Sequence, residues 1–280
     1  MSISEEEEEE QKRSLFIKEL VQSTPAHFDS VSNENDKIPK RIIQFWDNLE
    51  QLPTDVYDCI KTWDQLETLG YERLLFDSKK AGEFIKEKLG SKFKNAYDQC
   101  YHPAMQSDYF RLCYIFIEGG CYVDADDVYN GADINHLFKD NRLKVQPLCY
   151  DVSSHSMISP SIFTKPGAYS DNWIFYFNNN PLIARSKDPI IEQALTSATL
   201  LLQAIEANKI DILPEIQSTA GPGNLSKSVI DILKKTNKME QFILVLNNWE
   251  NIAESQWPLS YRNDARNWRL SNCQNFKHLK

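Results

Sequence analysis

The sequence predicts an α/β fold with a largely parallel central sheet, and three observations support this class. The composition is that of a globular protein, with 41% hydrophobic and 25% charged residues in a chain of 280 residues. Strand and helix patterns alternate from Ile38 onward, which favours parallel strands joined by helices. A long apolar helix then ends at Gly119-Gly120, directly before another strand pattern and a cluster of aspartates.

The first part of the predicted domain alternates two strands with two helices. β-branched and aromatic residues predict the strands. Helical periodicity that ends at a glycine predicts the helices, and a serine stands at the start of the second one. The predicted ranges are Lys40–Trp46 (strand), Pro53–Gly70 (helix), Tyr71–Asp77 (strand) and Ser78–Gly90 (helix).

The remainder of the chain continues this pattern with longer elements. The helix before the two glycines is apolar over much of its circumference, which is typical of a buried helix. Trp173–Asn180 reads as a strand running into a polar turn. Trp249, Trp257 and Trp268 near the carboxyl terminus are expected in the core, with a lid over a binding site as the alternative. The other predicted ranges are His102–Gly120 (helix), Cys121–Ala125 (strand), Asp188–Asn208 (helix), Thr219–Lys235 (loop and helix) and Phe242–Asn247 (strand).

Residues 1–37 are predicted to be an acidic appendage, flexible or short-helical, and residues 38–280 to be a single domain. Six consecutive glutamates repel one another and favour solvent. Ser14–Gln22 has the pattern of a short amphipathic helix, and Ser23–Lys37 reads as a polar linker.

Charge, cysteine usage and hydropathy limit the partners and the compartment. A net charge of -9 disfavours nucleic acid as a partner. The six cysteines are scattered without zinc-ligand spacing, which predicts reduced, structural thiols. No stretch has the ~18 continuous apolar residues that a membrane helix needs. We therefore expect a cytoplasmic protein with no transmembrane segment, peripheral to a membrane at most, or alternatively a secreted effector.

The segment GGCYVDADD places Asp124, Asp126 and Asp127 at the end of a predicted buried strand. In open α/β sheets ligands bind beyond the carboxyl ends of strands. Mg²⁺ and Mn²⁺ prefer oxygen ligands and commonly take one or two protein carboxylates together with substrate phosphates. A plain turn, in which aspartate binds its own backbone, is the alternative.

The preceding helix carries Asp108 and Arg111 within an apolar stretch. Three residues apart, they share one face of the helix. Because burying an unpaired charge is costly, each needs a partner. They are predicted either to form a structural ion pair or to face a binding site near the aspartates.

The segment SDYFRLCYIFIEGGCYVDADD resembles the hallmark S-D-x-x-R, apolar helix, G-G-x-Y-x-D-x-D of the DXD-containing glycosyltransferases. This family includes the yeast-type initiating mannosyltransferase, the α-1,4-glycosyltransferases and many bacterial capsular sugar transferases; the glucosylating clostridial toxins are more distantly similar. IPKRIIQFW resembles the family's opening strand, with Ile43 where histidine is usual, and TAGPG is weakly similar to a downstream T-G-P element. The matching residues are Ile38, Pro39, Lys40, Ile42, Gln44, Trp46, Ser107, Asp108, Arg111, Gly119, Gly120, Tyr122, Asp124 and Asp126.

The resemblance implies a GT-A type nucleotide-sugar-binding fold and a retaining, metal-dependent transfer of a sugar from a UDP- or GDP-linked donor. Asp124 and Asp126 would bind Mn²⁺ or Mg²⁺, with Asp126 the more direct ligand, and Asp108 and Arg111 would hold the donor sugar as catalytic residues. The resemblance also places five residues at the donor, with Trp46 stacked on its base: Gln44, Trp46, Gly119, Gly120 and Tyr122. Asn178, Asn179 and Asn180 resemble a region where the family places polar acceptor-side groups, and a plain turn is the equal alternative.

Three functions stay open at the level of the sequence. The first is synthesis of a surface polysaccharide or lipo-oligosaccharide, with a glycan acceptor. The second is a secreted toxin or effector that glycosylates a host protein. The third is a catalytically inactive sugar-binding or interaction protein, against which the complete set of Asp108, Arg111, Asp124 and Asp126 argues.

Overall fold

A computed structural model describes residues 5–23, 37–206, 213–236, 239–274 and 276 of the chain. Most of the predicted linker Ser23–Lys37 lies outside the described residues. The helices are α1 Glu5–Gln22, α2 Thr54–Thr62, α3 Ser78–Leu89, α4 Ser91–Asp98, α5 Pro103–Glu118, α6 Pro160–Phe163, α7 Pro189–Glu206, α8 Ile216–Thr219, α9 Pro222–Leu233 and α10 Trp268–Ser271. The strands are β1 Arg41–Phe45, β2 Glu72–Phe76, β3 Gly120–Tyr122, β4 Asp127–Tyr129, β5 Leu143–Asp151, β6 Ser156–Met157, β7 Trp173–Ala184, β8 Ile243–Val245 and β9 Ala253–Ser255.

The predicted α/β class with a largely parallel central sheet and flanking helices is confirmed. The central sheet has the order β2-β1-β3-β7-β5-β6, and β8 pairs with β5. Strands β2, β1, β3, β5 and β8 run in one direction, whereas β7 and β6 run in the other. A separate pair, β4 with β9, is antiparallel.

The alternating elements of the first part are found where the sequence places them. The predicted helix Pro53–Gly70 is α2 followed by a 3₁₀ helix, Trp63–Leu69, which ends at Gly70 with a φ of 81°. A left-handed residue of this kind closes a helix, and glycine adopts it without a Cβ clash. The cap of α3 differs by one residue from the prediction, because the Asp77 carboxylate accepts a hydrogen bond from the Lys80 N–H.

Strand β5 is central to the sheet, although the sequence pattern assigns it no element. Pro147 stands in its middle and usually argues against a central strand. The register of β5 against β7 shifts between Val145 and Pro147, and this irregularity accommodates the proline. Lys144 is fully buried in the same strand and pairs with the Asp140 carboxylate at 2.7 Å. Burial lowers the pKa of Lys144 to about 8, although the negative charge of Asp140 acts to raise it.

Helix α1 packs on the outer side of the sheet and contributes to the main core. Ile17 and Val21 are buried there. The Ser14 hydroxyl accepts a hydrogen bond from the Phe175 N–H at 3.0 Å, and the Gln22 amide donates to the Phe163 carbonyl at 2.9 Å. This helix is longer than the predicted Ser14–Gln22. The domain boundary at residue 37 stays a prediction.

No helix within the described ranges is long and apolar enough to cross a membrane. Helix α5 has the buried character that its composition predicts, since a run from Tyr109 to Ile115 is almost wholly excluded from solvent. His102 caps its amino terminus by accepting the Ala104 N–H at 3.0 Å. The buried helix presents Asp108 and Arg111 toward the carboxyl ends of β1 and β3, where the cavity described next lies.

Candidate functional site

A cavity of about 370 Å³ opens at the carboxyl ends of β1 and β3. This is the position at which open α/β sheets bind ligands. Two groups of residues face each other across it. The motif wall consists of Ser107, Asp108, Arg111, Asp124, Asn179 and Asn180, and the C-terminal wall consists of Ser255, Trp257, Tyr261, Arg262, Arg266 and Arg269. Asp126 lies between the two walls.

Arg111 organises the motif wall. Its guanidinium donates to the Asp124 carboxylate at 2.9 Å, to the Ser107 hydroxyl at 3.0 Å and to the Asn179 carbonyl at 2.8 Å, and it lies 3.0 Å from the Asp108 carboxylate. Burial alone would lower the pKa of Arg111. The charges of Asp124 and Asp108 outweigh this effect, so the pKa of Arg111 lies above its ordinary value. Both alternatives that the sequence leaves open for Asp108 and Arg111 therefore hold together: they pair, and they face the cavity.

The two asparagines of the motif wall belong to strand β7 and not to the turn that the sequence predicts. Asn179 donates to the Asp108 carboxylate at 2.8 Å. The Asn180 side chain accepts the Asp124 N–H at 3.0 Å and donates to the Asp127 carboxylate at 2.8 Å. Asn179 and Asn180 are thus buried strand residues whose side chains bind the neighbouring aspartates, because β7 continues past them to pair with β3.

The three aspartates lie in and beside a tight turn. The Asp127 N–H donates to the Asp124 carbonyl at 3.2 Å, which closes a turn between the end of β3 and the start of β4. Burial raises the pKa of Asp124 to about 6, with Arg111 opposing and Asp126 adding to the rise. Burial also raises the pKa of Asp127 well above its usual range, and Asp126 contributes. The turn crowds negative charge where solvent is largely excluded.

Asp126 is directed away from the motif wall. Its Oδ2 forms an ion pair with Arg262 and accepts hydrogen bonds from the Tyr261 hydroxyl at 2.8 Å and the Ser255 hydroxyl at 3.3 Å. Its backbone carbonyl accepts the Gln256 N–H at 2.9 Å. The two carboxylates of the D-x-D pair therefore contact different arginines, one on each wall.

Several buried polar atoms around this cavity lack a hydrogen-bond partner among the described residues. They are the Trp46 indole N–H, the Nε atoms of Arg111 and Arg262, Gln44 Oε1 and Asp127 Oδ1. A buried donor or acceptor without a partner costs about 1–3 kcal/mol. Three of them belong to residues that line the cavity, Trp46, Arg111 and Arg262, where a polar ligand could supply the missing partners.

The turn Asp124–Asp127, called the acidic turn below, offers carboxylate oxygens as metal ligands. These fit a hard divalent cation that is bound together with a ligand supplying further oxygens. Asp124 and Asp126 each use one carboxylate oxygen for an arginine, and the second oxygen of each accepts no hydrogen bond from a described residue. Carboxylate oxygens are the ligands that Mg²⁺ and Mn²⁺ prefer. Within the described ranges, no cluster of three or more acidic, histidine or cysteine side chains could hold a metal by itself.

The residues predicted to bind the donor are divided between two places. Trp46 lines the cavity, with its ring 5.2 Å from that of Tyr261. Gln44 is buried behind the site and donates to the Asp124 carbonyl at 3.3 Å. Tyr122 is fully buried and bonds the Ser107 hydroxyl at 2.6 Å, so it supports the motif wall from beneath.

Gly119 and Gly120 do not line the cavity, so their predicted contact with the donor has no support in this placement. They lie at the amino end of β3. A Cβ on Gly119 would be 2.8 Å from the Ser186 nitrogen, and a Cβ on Gly120 would be 3.2 Å from the Arg41 carbonyl oxygen. Both have positive φ, 68° and 126°. They are glycines because the chain turns and packs closely there, at the end of the strand remote from the ligand.

For the C-terminal wall the sequence predicts only the alternative that its tryptophans form a lid over the site, and it assigns none of the arginines. Trp249 is buried in the core as expected, but Trp257 is 57% exposed and lines the cavity, as does Trp268. A signal was present nonetheless: YRNDARNWR places three arginines among aromatic residues between positions 261 and 269. The segment lacks helical or strand periodicity, so its position could not be derived locally.

Two comparisons with known proteins found similarities. Residues 28–144 match the family model described as a glycosyltransferase sugar-binding region containing a DXD motif. The matched region is similar to that family, and it includes the D-x-D, Asp124-Ala125-Asp126. A solved structure named PaToxG Glycosyltransferase superposes with a TM-score of 0.44 and 16% sequence identity, over 83% of this chain and 82% of that chain. No curated protein matches the sequence.

Proposed function

We propose that this chain transfers a sugar from a nucleotide-sugar donor to an acceptor hydroxyl, with a divalent cation bound at the D-x-D turn. One observation carries this proposal: Asp108, Arg111, Asp124 and Asp126 line a single cavity at the carboxyl ends of β1 and β3. Side chains directed into separate regions would have argued against it.

The carboxylates of Asp124 and Asp126 would hold Mn²⁺ or Mg²⁺. When bound, the cation neutralises the charge that develops on the departing nucleoside diphosphate. The turn itself is held by the chain, because the Asn180 side chain fixes the Asp124 N–H at 3.0 Å and the Gln44 amide reaches the Asp124 carbonyl. The acidic turn is therefore positioned before any ligand arrives.

Arg111 and Asp108 would contact the donor sugar, as the resemblance implies. Arg111 is held by four groups and Asp108 by the Asn179 amide, so both have defined positions in the free protein. Prearranged charges stabilise a transition state without reorganisation at the moment of reaction. Trp46 lies at the cavity with a free indole N–H and would contact the nucleotide base.

The resemblance further implies retention of the anomeric configuration, so an α-linked donor would yield an α-glycoside. A glycan of a surface polysaccharide or lipo-oligosaccharide is the acceptor we propose first. A protein acceptor, as for a secreted effector, is the second class to be compared in the same assay.

A donor panel tests the proposal. Hydrolysis and transfer are measured for UDP- and GDP-linked sugars with and without Mn²⁺, for the full chain, for Asp126→Ala and for Asp58→Ala as a control. Asp58 is an exposed aspartate on α2 outside the cavity. We expect activity with one donor that requires the cation, falls at least about 100-fold in Asp126→Ala, the range seen on losing a key electrostatic group, and is unchanged in Asp58→Ala.

Two results would contradict the proposal. One is a chain that turns over no donor with either a glycan or a protein acceptor. The other is activity that does not change when the cation is removed or when Asp126 is replaced. Incorporation of the sugar into the glycan but not the protein fraction selects the first acceptor class, and the reverse selects the second.

A further inference from the structure

Arg262 occupies one of the two carboxylate oxygens through which Asp126 could bind a cation. The Asp126 Oδ2 receives the Arg262 guanidinium, the Tyr261 hydroxyl and the Ser255 hydroxyl together. A divalent cation at this oxygen would meet a fixed positive charge in direct contact, and like charges at that distance repel strongly where water is scarce. The full use of Asp126 as a ligand therefore requires Arg262 to move.

Arg262 is less firmly held than its counterpart Arg111. Its guanidinium donates to the Asp126 carboxylate and, at 3.2 Å, to the Ser255 hydroxyl, whereas the guanidinium of Arg111 has four partners. Its guanidinium lies over the Trp257 ring, 3.4 Å from the ring centroid, and that ring is 57% exposed. It is carried by the 3₁₀ helix Ser260–Asn263 and not by a long buried helix. These features permit Arg262 to change partners with little disturbance of the core.

We propose that Arg262 exchanges its partner during donor binding. In the donor-free chain it pairs with Asp126; when a divalent cation binds Asp126, the guanidinium turns to the diphosphate of the donor in the same cavity. This inference rests on the function proposed above. Guanidinium groups bind phosphate oxygens through paired hydrogen bonds, so the new partner replaces the lost carboxylate.

The neighbouring Arg266 and Arg269 are not placed to exchange partners in this way. Arg266 already pairs with Asp47 at 3.3 Å and with Asp264 at 3.0 Å, neither of which belongs to the D-x-D turn. Arg269 is exposed and lies over Trp268, 4.6 Å from its ring centroid. Arg262 alone among the three forms an ion pair with the acidic turn in the part of the chain that the structure describes.

Partner exchange predicts coupling between the cation and the diphosphate. The cation releases the guanidinium that the diphosphate needs, and the diphosphate stabilises Arg262 away from Asp126. Each ligand should thus raise the affinity for the other, and by the same factor.

Binding of Mn²⁺ alone to the full chain tests the first half of the exchange. The concentration of free Mn²⁺ is followed by electron paramagnetic resonance, without any donor, for the wild type, Arg262→Met and Lys80→Met. Methionine keeps an unbranched apolar stem over Trp257, and Lys80 is an exposed cation on α3 that does not line the cavity. We expect the Mn²⁺ Kd to fall about tenfold in Arg262→Met, a usual size for coupled sites, and to change less than about twofold in Lys80→Met.

Inorganic pyrophosphate, at saturating Mn²⁺, tests the second half by calorimetry. Arg262→Met should bind it about tenfold more weakly than the wild type, again by the size of a typical coupling. The proposal thus predicts opposite signs for the two ligands. A side chain that only supports the fold would weaken both, and one with no role would change neither, so either result overturns the exchange.

A second variant keeps the test decisive if Arg262→Met does not fold. Tyr261→Phe removes one hydrogen bond to Asp126 and leaves every charge in place. It should tighten Mn²⁺ about two- to threefold, the scale of one hydrogen bond, and an unchanged or larger Kd contradicts the proposal. Cation-dependent transfer with an unchanged Mn²⁺ affinity in both variants overturns only the exchange, whereas transfer without any cation overturns the proposed function as well.

Discussion

The two walls of the cavity hold their charges in different ways. In the motif wall Arg111 is buried, surrounded by two carboxylates, a hydroxyl and a carbonyl, and carried by the long helix α5. In the C-terminal wall Arg262 lies over an exposed tryptophan on a single 3₁₀ turn. The first arrangement fixes a charge and the second leaves one able to move.

The largest effect is expected when the fixed charge is removed. Arg111→Met removes the guanidinium that pairs with the buried Asp108 and the partly exposed Asp124, and breaking a buried ion pair typically costs about 3–5 kcal/mol. The free energy of unfolding, measured in urea, should fall by that amount. Arg269→Met, on the other wall, should change it by less than about 0.5 kcal/mol, as for other exposed positions. Equal losses in the two variants would remove the distinction between the walls.

A smaller loss of stability is expected when Gly221, the residue before α9, is replaced, because it lies against Asp108 of the motif wall. A Cβ on Gly221 would lie 2.9 Å from Asp108 Oδ2 and 3.0 Å from the Gln217 Cα. Gly221→Ala should destabilise the chain by about 1–3 kcal/mol through this overpacking, and it should lower transfer because Asp108 is displaced. Gly82→Ala is the matched control, since its nearest contact is the mobile end of Lys94. Thermal unfolding and donor turnover are measured in parallel, and full activity in Gly221→Ala would contradict this account.

Trp257 tests whether the contact between its ring and Arg262 positions that arginine. Because it is 57% exposed, Trp257→Ala should cost less than about 1 kcal/mol of stability, the scale of an exposed cation–π contact. Pyrophosphate binding should nevertheless weaken severalfold, since Arg262 loses the ring on which it lies. Leu270→Ala, an exposed position of the same segment, serves as the control. An unchanged pyrophosphate affinity would show that the ring does not position Arg262.

The smallest effect concerns the junction of the two walls at His102. Its Nε2 contacts the Ala265 carbonyl at 2.9 Å and the Ser271 hydroxyl at 2.8 Å, which ties α5 to the C-terminal segment. Burial lowers the pKa of His102, with the Ala265 carbonyl and the charge of Asp47 opposing. The unfolded chain therefore takes up a proton near pH 6.5 that the folded chain resists, so this part of the stability is present above that pH and lost as the pH falls through it.

Asparagine at this position keeps an acceptor for the Ala104 N–H but does not titrate. Urea unfolding at pH 7.5 and 5.5 should thus show a steeper loss for the wild type than for His102→Asn. Parallel losses in the two proteins would mean that His102 is not the titrating group.

Local sequence was sufficient for the elements that repeat a simple pattern. Apolar periodicity, glycine stops and caps identified β1, β2, α3, α5 and α7 because each signal lies within one element. The hallmark around Asp108, Arg111, Asp124 and Asp126 was equally local, and the structure brings these four side chains to one cavity. Strand β5 was not identified, because Pro147 and buried Lys144 are acceptable only through a register shift and an ion pair with Asp140.

The sequence by itself determined the fold class, the acidic turn and the arginine that faces it. Those features depend on residues close together in the chain, whose spacing fixes their common face or strand end. Only the tertiary structure decided that Asn179 and Asn180 bind the residues of the acidic turn and its helix, that Gly119 and Gly120 lie away from the cavity, and that Arg262 pairs with Asp126. These contacts join residues that are 53 to 136 positions apart in the sequence. A pairing over such a distance produces no local periodicity from which it could be predicted.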